Sequence, residues 1–75
     1  MNEDILKGKW TQLKGRVREE WGKLTEDDVN MVQGRAQQLV GRIQERYGLA
    51  RDEAERQVDA WVRAQDRAEP ARSRF

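Results

Sequence analysis

Three consecutive carboxylates, Glu26, Asp27 and Asp28, have a type and spacing that could bind a metal ion. Carboxylates placed close together can hold a hard cation such as Ca²⁺. These three lack the alternating oxygen ligands and the sharp glycine turn of a calcium loop, and acidic residues are also favoured in the first turn of a helix. We therefore predict a helix N-terminus in this segment and no metal site.

A second pair of carboxylates, Glu55 and Asp59, lies one helical turn apart and has the composition of a general acid and base. That chemistry needs burial to separate the two pKa values, whereas the neighbouring Arg51, Arg56 and Arg63 favour solvated salt bridges. The chain also has no histidine and no cysteine, which removes the usual general base, thiolate nucleophiles and zinc sites built from these residues. We predict no enzymatic activity and no cofactor.

Aromatic and basic residues together raise a third kind of chemistry, the binding of nucleic acid. Trp10, Trp21, Tyr47 and Trp61 could stack on bases. The candidate phosphate contacts are Lys7, Lys9, Lys14, Arg16 and Arg18. However, fifteen Lys and Arg residues nearly cancel fourteen Asp and Glu residues, and the net charge of +1 is far from a strongly basic footprint. Core packing is therefore favoured for the aromatics, and nucleic-acid binding stays a secondary hypothesis.

The apolar residues step by three or four positions, which is the period of an amphipathic α-helix. This spacing predicts helices near residues 3–21, 26–47 and 51–67. The domain is predicted over residues 1–69, with a flexible basic tail over residues 70–75. The predicted core residues are Leu6, Trp10, Leu13, Val17, Trp21, Leu24, Leu39, Ile43, Tyr47, Val58 and Trp61.

An internal repeat appears when the chain is shifted against itself by 26 residues. Residues 8–22 align with residues 34–48, and seven of the fifteen pairs are identical, among them three pairs of glycines. Two copies are too few for a solenoid. We expect a duplicated helical unit whose copies pack on each other, giving an all-α bundle of three to five helices.

Glycine, threonine and proline mark the expected helix boundaries. Gly22 and Gly48 follow the apolar stripes of the two copies and are placed to end helices in the left-handed conformation. Thr25 is the expected N-cap ahead of the acidic first turn. Pro70 is expected to stop the last helix.

Four further glycines, Gly8, Gly15, Gly34 and Gly41, fall inside the predicted helices and project opposite their apolar stripes. Each interior glycine costs about 0.5–1 kcal/mol relative to alanine. Three accounts compete. The glycines break the long helices into four or five shorter ones, they form a smooth interaction face for another helix or a partner, or they leave the helices loose.

The motifs of the chain resemble a known family over about residues 2–62. In chain order they are Asn2, Asp4, Gly8, Trp10, Gly15, Trp21-Gly22-Lys23-Leu24-Thr25, Asp27-Asp28, Gly34, Leu39, Gly41, Ile43-Gln44, Tyr47-Gly48 and Glu53-Ala54-Glu55. This set is similar to the CsbD-like family of small bacterial general stress response proteins. The resemblance implies a hydrophilic helical protein, induced in stress and stationary phase, that folds as two packed helical hairpins.

The resemblance carries over no catalytic or ligand residues, since none is established for the family. Two features depart from its pattern. Ala50 stands where a serine or threonine N-cap is usual before the last helix, and the arginine-rich end from Arg63 to Phe75 lies beyond the resemblance.

The resulting functional hypothesis is a non-enzymatic bacterial general stress response protein that acts by interaction or protection on an unknown molecular target. The alternatives are a nucleic-acid-binding accessory module and a protein-interaction adaptor. The acidic first residues and the lack of a long apolar run predict neither a signal peptide nor a membrane span, and so a cytoplasmic protein. A protein partner is favoured over nucleic acid, and the sequence is compatible with a monomer or a weak oligomer.

Overall fold

The computed structural model describes residues 2–72, with side chains described for residues 4–67. Over this part of the chain it contains five helices and no strand. The helices are α1 (Asn2–Gly8), α2 (Trp10–Glu20), α3 (Glu26–Val32), α4 (Ala36–Tyr47) and α5 (Arg51–Arg72). The predicted all-α bundle of three to five helices is confirmed.

The internal repeat is visible in the order of the helices. Each copy has a seven-residue helix followed by a longer one, α1 before α2 and α3 before α4. Gly8 and Gly34, which are paired in the repeat, both lie at the junction between the short helix and the long one. Within each copy the two helices pack together, and α5 packs along α4 and against α1. The fold is therefore two helix pairs covered by a fifth helix.

The long helix predicted for each copy is broken, which corrects the predicted boundaries. Lys9, directly after Gly8, leaves the helical conformation with φ −114° and ψ 18°. In the second copy Gln33 and Gly34 are both left-handed, with φ values of 51° and 80°. Such values are rare for residues with a β-carbon and end a helix without strain only at glycine or a few polar residues. The first account of the glycines is thus confirmed at Gly8 and Gly34.

The two predicted helix-ending glycines behave differently. Gly48 is left-handed at φ 68°, as predicted, and its N–H donates to the carbonyl of Gln44. The prediction for Gly22 is wrong, because α2 already ends at Glu20 and Trp21 caps it in a non-helical conformation with φ −119° and ψ 81°. The physical reason lies in the indole of Trp21, which is buried and holds the chain to the core at this point.

The last helix begins at Arg51 as predicted, despite Ala50, and continues to Arg72. The expectation that Pro70 stops the helix is wrong. Pro70 lies in the last turn of α5. Its missing N–H removes only one backbone hydrogen bond there, and most of the hydrogen bonds of the helix lie before it. The division into a domain over residues 1–69 and a tail over residues 70–75 stays a prediction, and residues 73–75 lie outside the described part of the chain.

The apolar stripes of all five helices meet in one core. The predicted core residues that are buried are Leu6, Leu13, Val17, Trp21, Leu24, Leu39, Ile43, Val58 and Trp61. Trp10 and Tyr47 are half-buried and pack against them. The core also takes in Val29, Val32, Val40, Ala54 and Val62. Within this core the rings of Trp21 and Trp61 meet edge to face, with centroids 5.4 Å apart.

Candidate functional site

The buried carboxylate of Asp28 lies at the centre of a polar cluster that joins α3 to α4. Thr25 and Asp28 form a capping box, because Thr25 Oγ1 accepts from the Asp28 N–H at 3.1 Å and Asp28 Oδ2 accepts from the Thr25 N–H at 3.0 Å. Arg46 donates from Nε to Oδ2 at 2.8 Å and from Nη2 to Oδ1 at 3.1 Å. Arg42 Nη1 stands 3.6 Å from Oδ1. Both oxygens of Asp28 are therefore occupied within the protein.

The electrostatics of this cluster favour charged groups throughout the neutral pH range. The hydrogen bond from Arg46 and the backbone N–H of Thr25 lower the pKa of Asp28 to about 2, against the opposing effect of burial. The same bond raises the pKa of Arg46. A carboxylate with this pKa is a poor general acid or base near neutral pH. Glu26 and Asp27 are exposed beside it, and no group of three or more metal-ligating side chains occurs among the described residues. Asp28 serves here to fasten two helices together.

Low pH should weaken the connection that Asp28 makes between α3 and α4. Because the pKa of Asp28 is lowered on folding, its contribution to stability is fully present above pH 3.8 and is lost as the pH falls towards 2. We expect Asp28→Asn to lower the free energy of unfolding by about 1.5–3 kcal/mol at pH 7. The difference between wild type and Asp28→Asn should then shrink between pH 4 and pH 2. Chemical denaturation across this range measures it.

Asp27→Asn, in the same helical turn but at an exposed position, is the matched control and should change stability by a few tenths of a kcal/mol at most. A constant difference between wild type and Asp28→Asn from pH 7 to pH 2 would contradict the assignment.

Glu55 and Asp59, the carboxylates considered as an acid–base pair, each pair with an arginine instead. Arg51 Nε donates to Glu55 at 3.1 Å, and Arg63 Nε lies 3.3 Å from Asp59. All four side chains are more than a third exposed. Each carboxylate thus has its own arginine one turn away along α5, as the sequence predicted.

The basic residues predicted as phosphate contacts separate into two sets. Lys9 Nζ lies 3.3 Å from Asp66, and Arg16 donates to Gln65 at 2.8 Å, so both reach across to α5. The other three, Lys7, Lys14 and Arg18, are exposed. Two of the five candidates therefore have an intramolecular role in holding α5.

The aromatic residues considered as base-stacking platforms lie mainly in the core, as favoured by the sequence. Trp21 and Trp61 are 3% and 8% exposed, which leaves no open face for a base. Tyr47 holds the loop between α2 and α3, because its hydroxyl accepts from the Lys23 N–H at 3.1 Å and the Lys23 ammonium lies 5.1 Å from its ring centre. Trp10 is half-buried against the core.

Of the four glycines predicted as one interaction face, Gly34 is buried and cannot belong to it, whereas for Gly8, Gly15 and Gly41 the face stays a prediction. Gly34 is buried, and a β-carbon there would stand 2.9 Å from the Cα of Lys7 and 3.2 Å from the Cβ of Trp10. The close approach is therefore internal, between the α3–α4 junction and the α1–α2 junction. Gly8, Gly15 and Gly41 are exposed, and a β-carbon at each would meet open space.

A groove between α4 and α5 combines apolar and acidic side chains in its lining. Its lining is Ala36, Gln37, Val40, Asp52, Glu55, Arg56, Val58 and Asp59, and it encloses about 450 Å³ open to solvent. Val40 and Val58 are buried in its floor, while the carboxylates of Asp52, Glu55 and Asp59 stand along α5 at one edge. We call this surface the α4–α5 groove.

Two features of the sequence could have indicated this groove, although the predicted apolar stripes did not include them. Val40 is the repeat partner of Lys14, so the second copy carries an apolar residue where the first carries a lysine. The second feature is the row of carboxylates on the first turns of α5. The two elements are separated along the chain, and only their packing brings them to the same surface.

Five helices around one apolar core, with ion pairs along the outer surfaces, define a small all-α helical bundle. None of its helices, over the residues that the structure describes, is both long enough and apolar enough to cross a membrane. The CsbD-like family model matches residues 4–56, and the chain belongs to the CsbD-like family.

Several curated relatives share most of their length with this chain. It is 53% identical over 66 residues to UPF0337 protein YjbJ of Escherichia coli O6:H1, covering 88% of this chain and 96% of that protein. It is 67% identical over 58 residues to UPF0337 protein RB10934 of Rhodopirellula baltica, covering 77% of this chain and 85% of the relative. UPF0337 protein msl9551 of Mesorhizobium japonicum is 55% identical over 65 residues, with coverage of 87% and 97%. No solved structure matches the chain significantly.

Proposed function

We propose that this protein is a non-enzymatic stress response protein that acts by binding a protein partner in the α4–α5 groove. The family is generally associated with stress responses. The observation that carries the binding role is the combination of an apolar floor at Val40 and Val58 with three carboxylates at its edge. The cytoplasmic location predicted from the sequence stays a prediction.

The chemistry of the groove selects a basic amphipathic segment as its occupant. An apolar side chain of the partner would cover the floor, and lysine or arginine beside it would meet Asp52, Glu55 and Asp59. Arg56 is the one basic side chain of the lining, so the groove keeps an excess of negative charge. Complementary charge of this kind chiefly sets the association rate and the choice of partner.

The ion pairs already present on α5 do not block such a partner. Glu55 and Asp59 are paired with arginines one turn away, and these side chains are 39% to 65% exposed. Exposed pairs at this spacing contribute only about 0.3–0.5 kcal/mol each. The carboxylates can therefore exchange their arginine partners for those of a bound segment at little cost.

Site-specific photo-crosslinking in bacterial cells tests this proposal. A benzoylphenylalanine at Gln37, which lines the groove, should capture protein segments rich in lysine and arginine. The matched control is the same residue at Gln12, which is exposed on α2 and outside the groove lining. We expect capture at Gln37 to exceed capture at Gln12 about tenfold, since burial at an interface is confined to one face. Equal capture at the two positions, or captured segments that are acidic, would reject the groove as the binding site.

Among the candidates of the first repeat, the nucleic-acid alternative now depends on Lys7, Lys14 and Arg18, because Lys9 and Arg16 contact α5. The arginines of the predicted tail over residues 70–75, which it would also use, lie outside the residues whose side chains the structure describes. Few phosphate contacts give weak binding with a shallow dependence on salt. We expect short labelled DNA and RNA to show no change in fluorescence anisotropy at low ionic strength up to about 100 μM protein. Tight binding that falls steeply with added salt, and that is lost when the three residues become glutamine, would favour this alternative instead.

A further inference from the structure

The side chain of Met31 on α3 is the large apolar side chain that the described part of the fold leaves in solvent. It is 57% exposed. Its sulfur accepts a hydrogen bond from Arg42 Nη2 on α4, with the two atoms 3.5 Å apart. An exposed thioether is accessible to peroxides, and here a cationic donor is already directed at the sulfur.

The guanidinium of Arg42 is held in place independently of Met31. Its Nη1 lies 3.2 Å from Glu45 and 3.6 Å from the buried carboxylate of Asp28. The side chain of Arg42 is 23% exposed, so most of it is fixed against the protein. The donor is thus preorganised, and it belongs to the same α3–α4 connection that Asp28 and Arg46 form.

We propose that Met31 is an oxidation site whose sulfoxide is bound by Arg42. In the reaction a sulfur lone pair of Met31 attacks one oxygen of hydrogen peroxide, the S–O bond forms and the O–O bond breaks. The second peroxide oxygen, after proton transfer, leaves as water. The sulfur loses two electrons and the peroxide gains them.

The product is a better partner for Arg42 than the thioether is. A thioether sulfur is a weak acceptor, whereas the sulfoxide oxygen is a strong one and extends beyond the sulfur towards the donor. Oxidation of a buried methionine disrupts a core, but Met31 is more than half exposed and lies outside the core, so its oxidation removes little apolar packing. Oxidation therefore strengthens the connection between α3 and α4.

The test compares the melting temperature of the full chain before and after treatment with hydrogen peroxide. Peptide mass spectrometry should show one added oxygen on Met31, formed at a rate within about threefold of that for free methionine because the sulfur is accessible. We expect the oxidised protein to melt about 3 °C higher, and methionine sulfoxide reductase to reverse the shift.

Two variants make the result specific. Met31→Leu keeps Met1 as its other methionine and should show no change in melting temperature on peroxide treatment. Arg42→Gln should still be oxidised at Met31 but lose the rise, with each variant compared with its own reduced form. An unchanged or lower melting temperature for oxidised wild type, or an equal rise in Arg42→Gln, would overturn the proposal.

Discussion

Replacing Trp21 with alanine is expected to lower the free energy of unfolding by about 3–5 kcal/mol. Trp21 is 3% exposed, meets Trp61 edge to face, and donates from Nε1 to Gln57 Oε1 at 3.1 Å. It also ends α2, so truncation removes an anchor of the backbone as well as core volume. A domain of this size has about 4–10 kcal/mol of total stability, and the variant should be largely unfolded near 37 °C. Thermal melting followed by circular dichroism measures this.

Trp21→Phe is the matched control for the aromatic packing. It keeps a ring beside Trp61 but loses the hydrogen bond to Gln57, and the expected loss is about 1–2 kcal/mol. An unchanged melting temperature for Trp21→Ala would show that this side chain is not the core residue that the fold requires.

Gly34→Ala is expected to be the second most damaging change, at about 2–4 kcal/mol. Two effects combine, because φ of +80° is unfavourable for alanine and the new methyl group would stand 2.9 Å from the backbone of Lys7. A backbone atom cannot move aside as a flexible side chain can. The junctions of the two copies would have to separate, and chemical denaturation would record the loss.

Two other glycines, which are paired with each other in the repeat, supply the comparison for Gly34. Gly15 and Gly41 lie inside helices, and a β-carbon at either position would meet open space. Gly15→Ala and Gly41→Ala should therefore each raise stability by about 0.5–1 kcal/mol. Destabilisation by all three alanines to the same extent would contradict the close approach assigned to Gly34.

The helical periodicity of the sequence predicted most of the architecture. The stripe from Leu6 to Leu24 and its counterpart from Leu39 to Tyr47 locate the core because burial of one helix face repeats every three to four residues. Helix breaks at Gly8 and Gly34 were one of three open accounts, since a glycine in a sequence signals conformational freedom without saying whether the fold uses it.

Contacts between distant residues were beyond sequence reasoning. Asp28 looked like one of three acidic residues in a first helical turn, and its pairing with Arg46 joins positions 18 residues apart. Burial, which distinguishes it from Asp27, is a property of the packed α3–α4 pair. The direct contact between Gly34 and the α1–α2 junction arises in the same way, from how the two copies meet.

These features give the surfaces of the protein different roles. The polar cluster around Asp28 holds α3 to α4 within the second copy, and the junction at Gly34 holds the two copies together. The α4–α5 groove is left open with an apolar floor. A stress response protein that binds a partner requires both a stable bundle and an available surface. The groove is the place where a change in charge should affect binding and leave the fold intact.

The most direct measurement of groove binding is the crosslinking yield from benzoylphenylalanine at Gln37 in two triple variants with the same net charge. The groove variant combines Asp52→Asn, Glu55→Gln and Asp59→Asn, and the control variant combines Glu19→Gln, Glu20→Gln and Asp27→Asn. All three control positions are exposed and lie outside the groove lining.

The measurement is interpreted only if both variants melt within a few degrees of wild type, which is expected because the affected ion pairs are exposed. We predict that the groove variant loses at least about 90% of the crosslinked product, since its carboxylates select the basic partner. The control variant should keep the wild-type yield. Equal yields from the two variants would contradict binding in the α4–α5 groove.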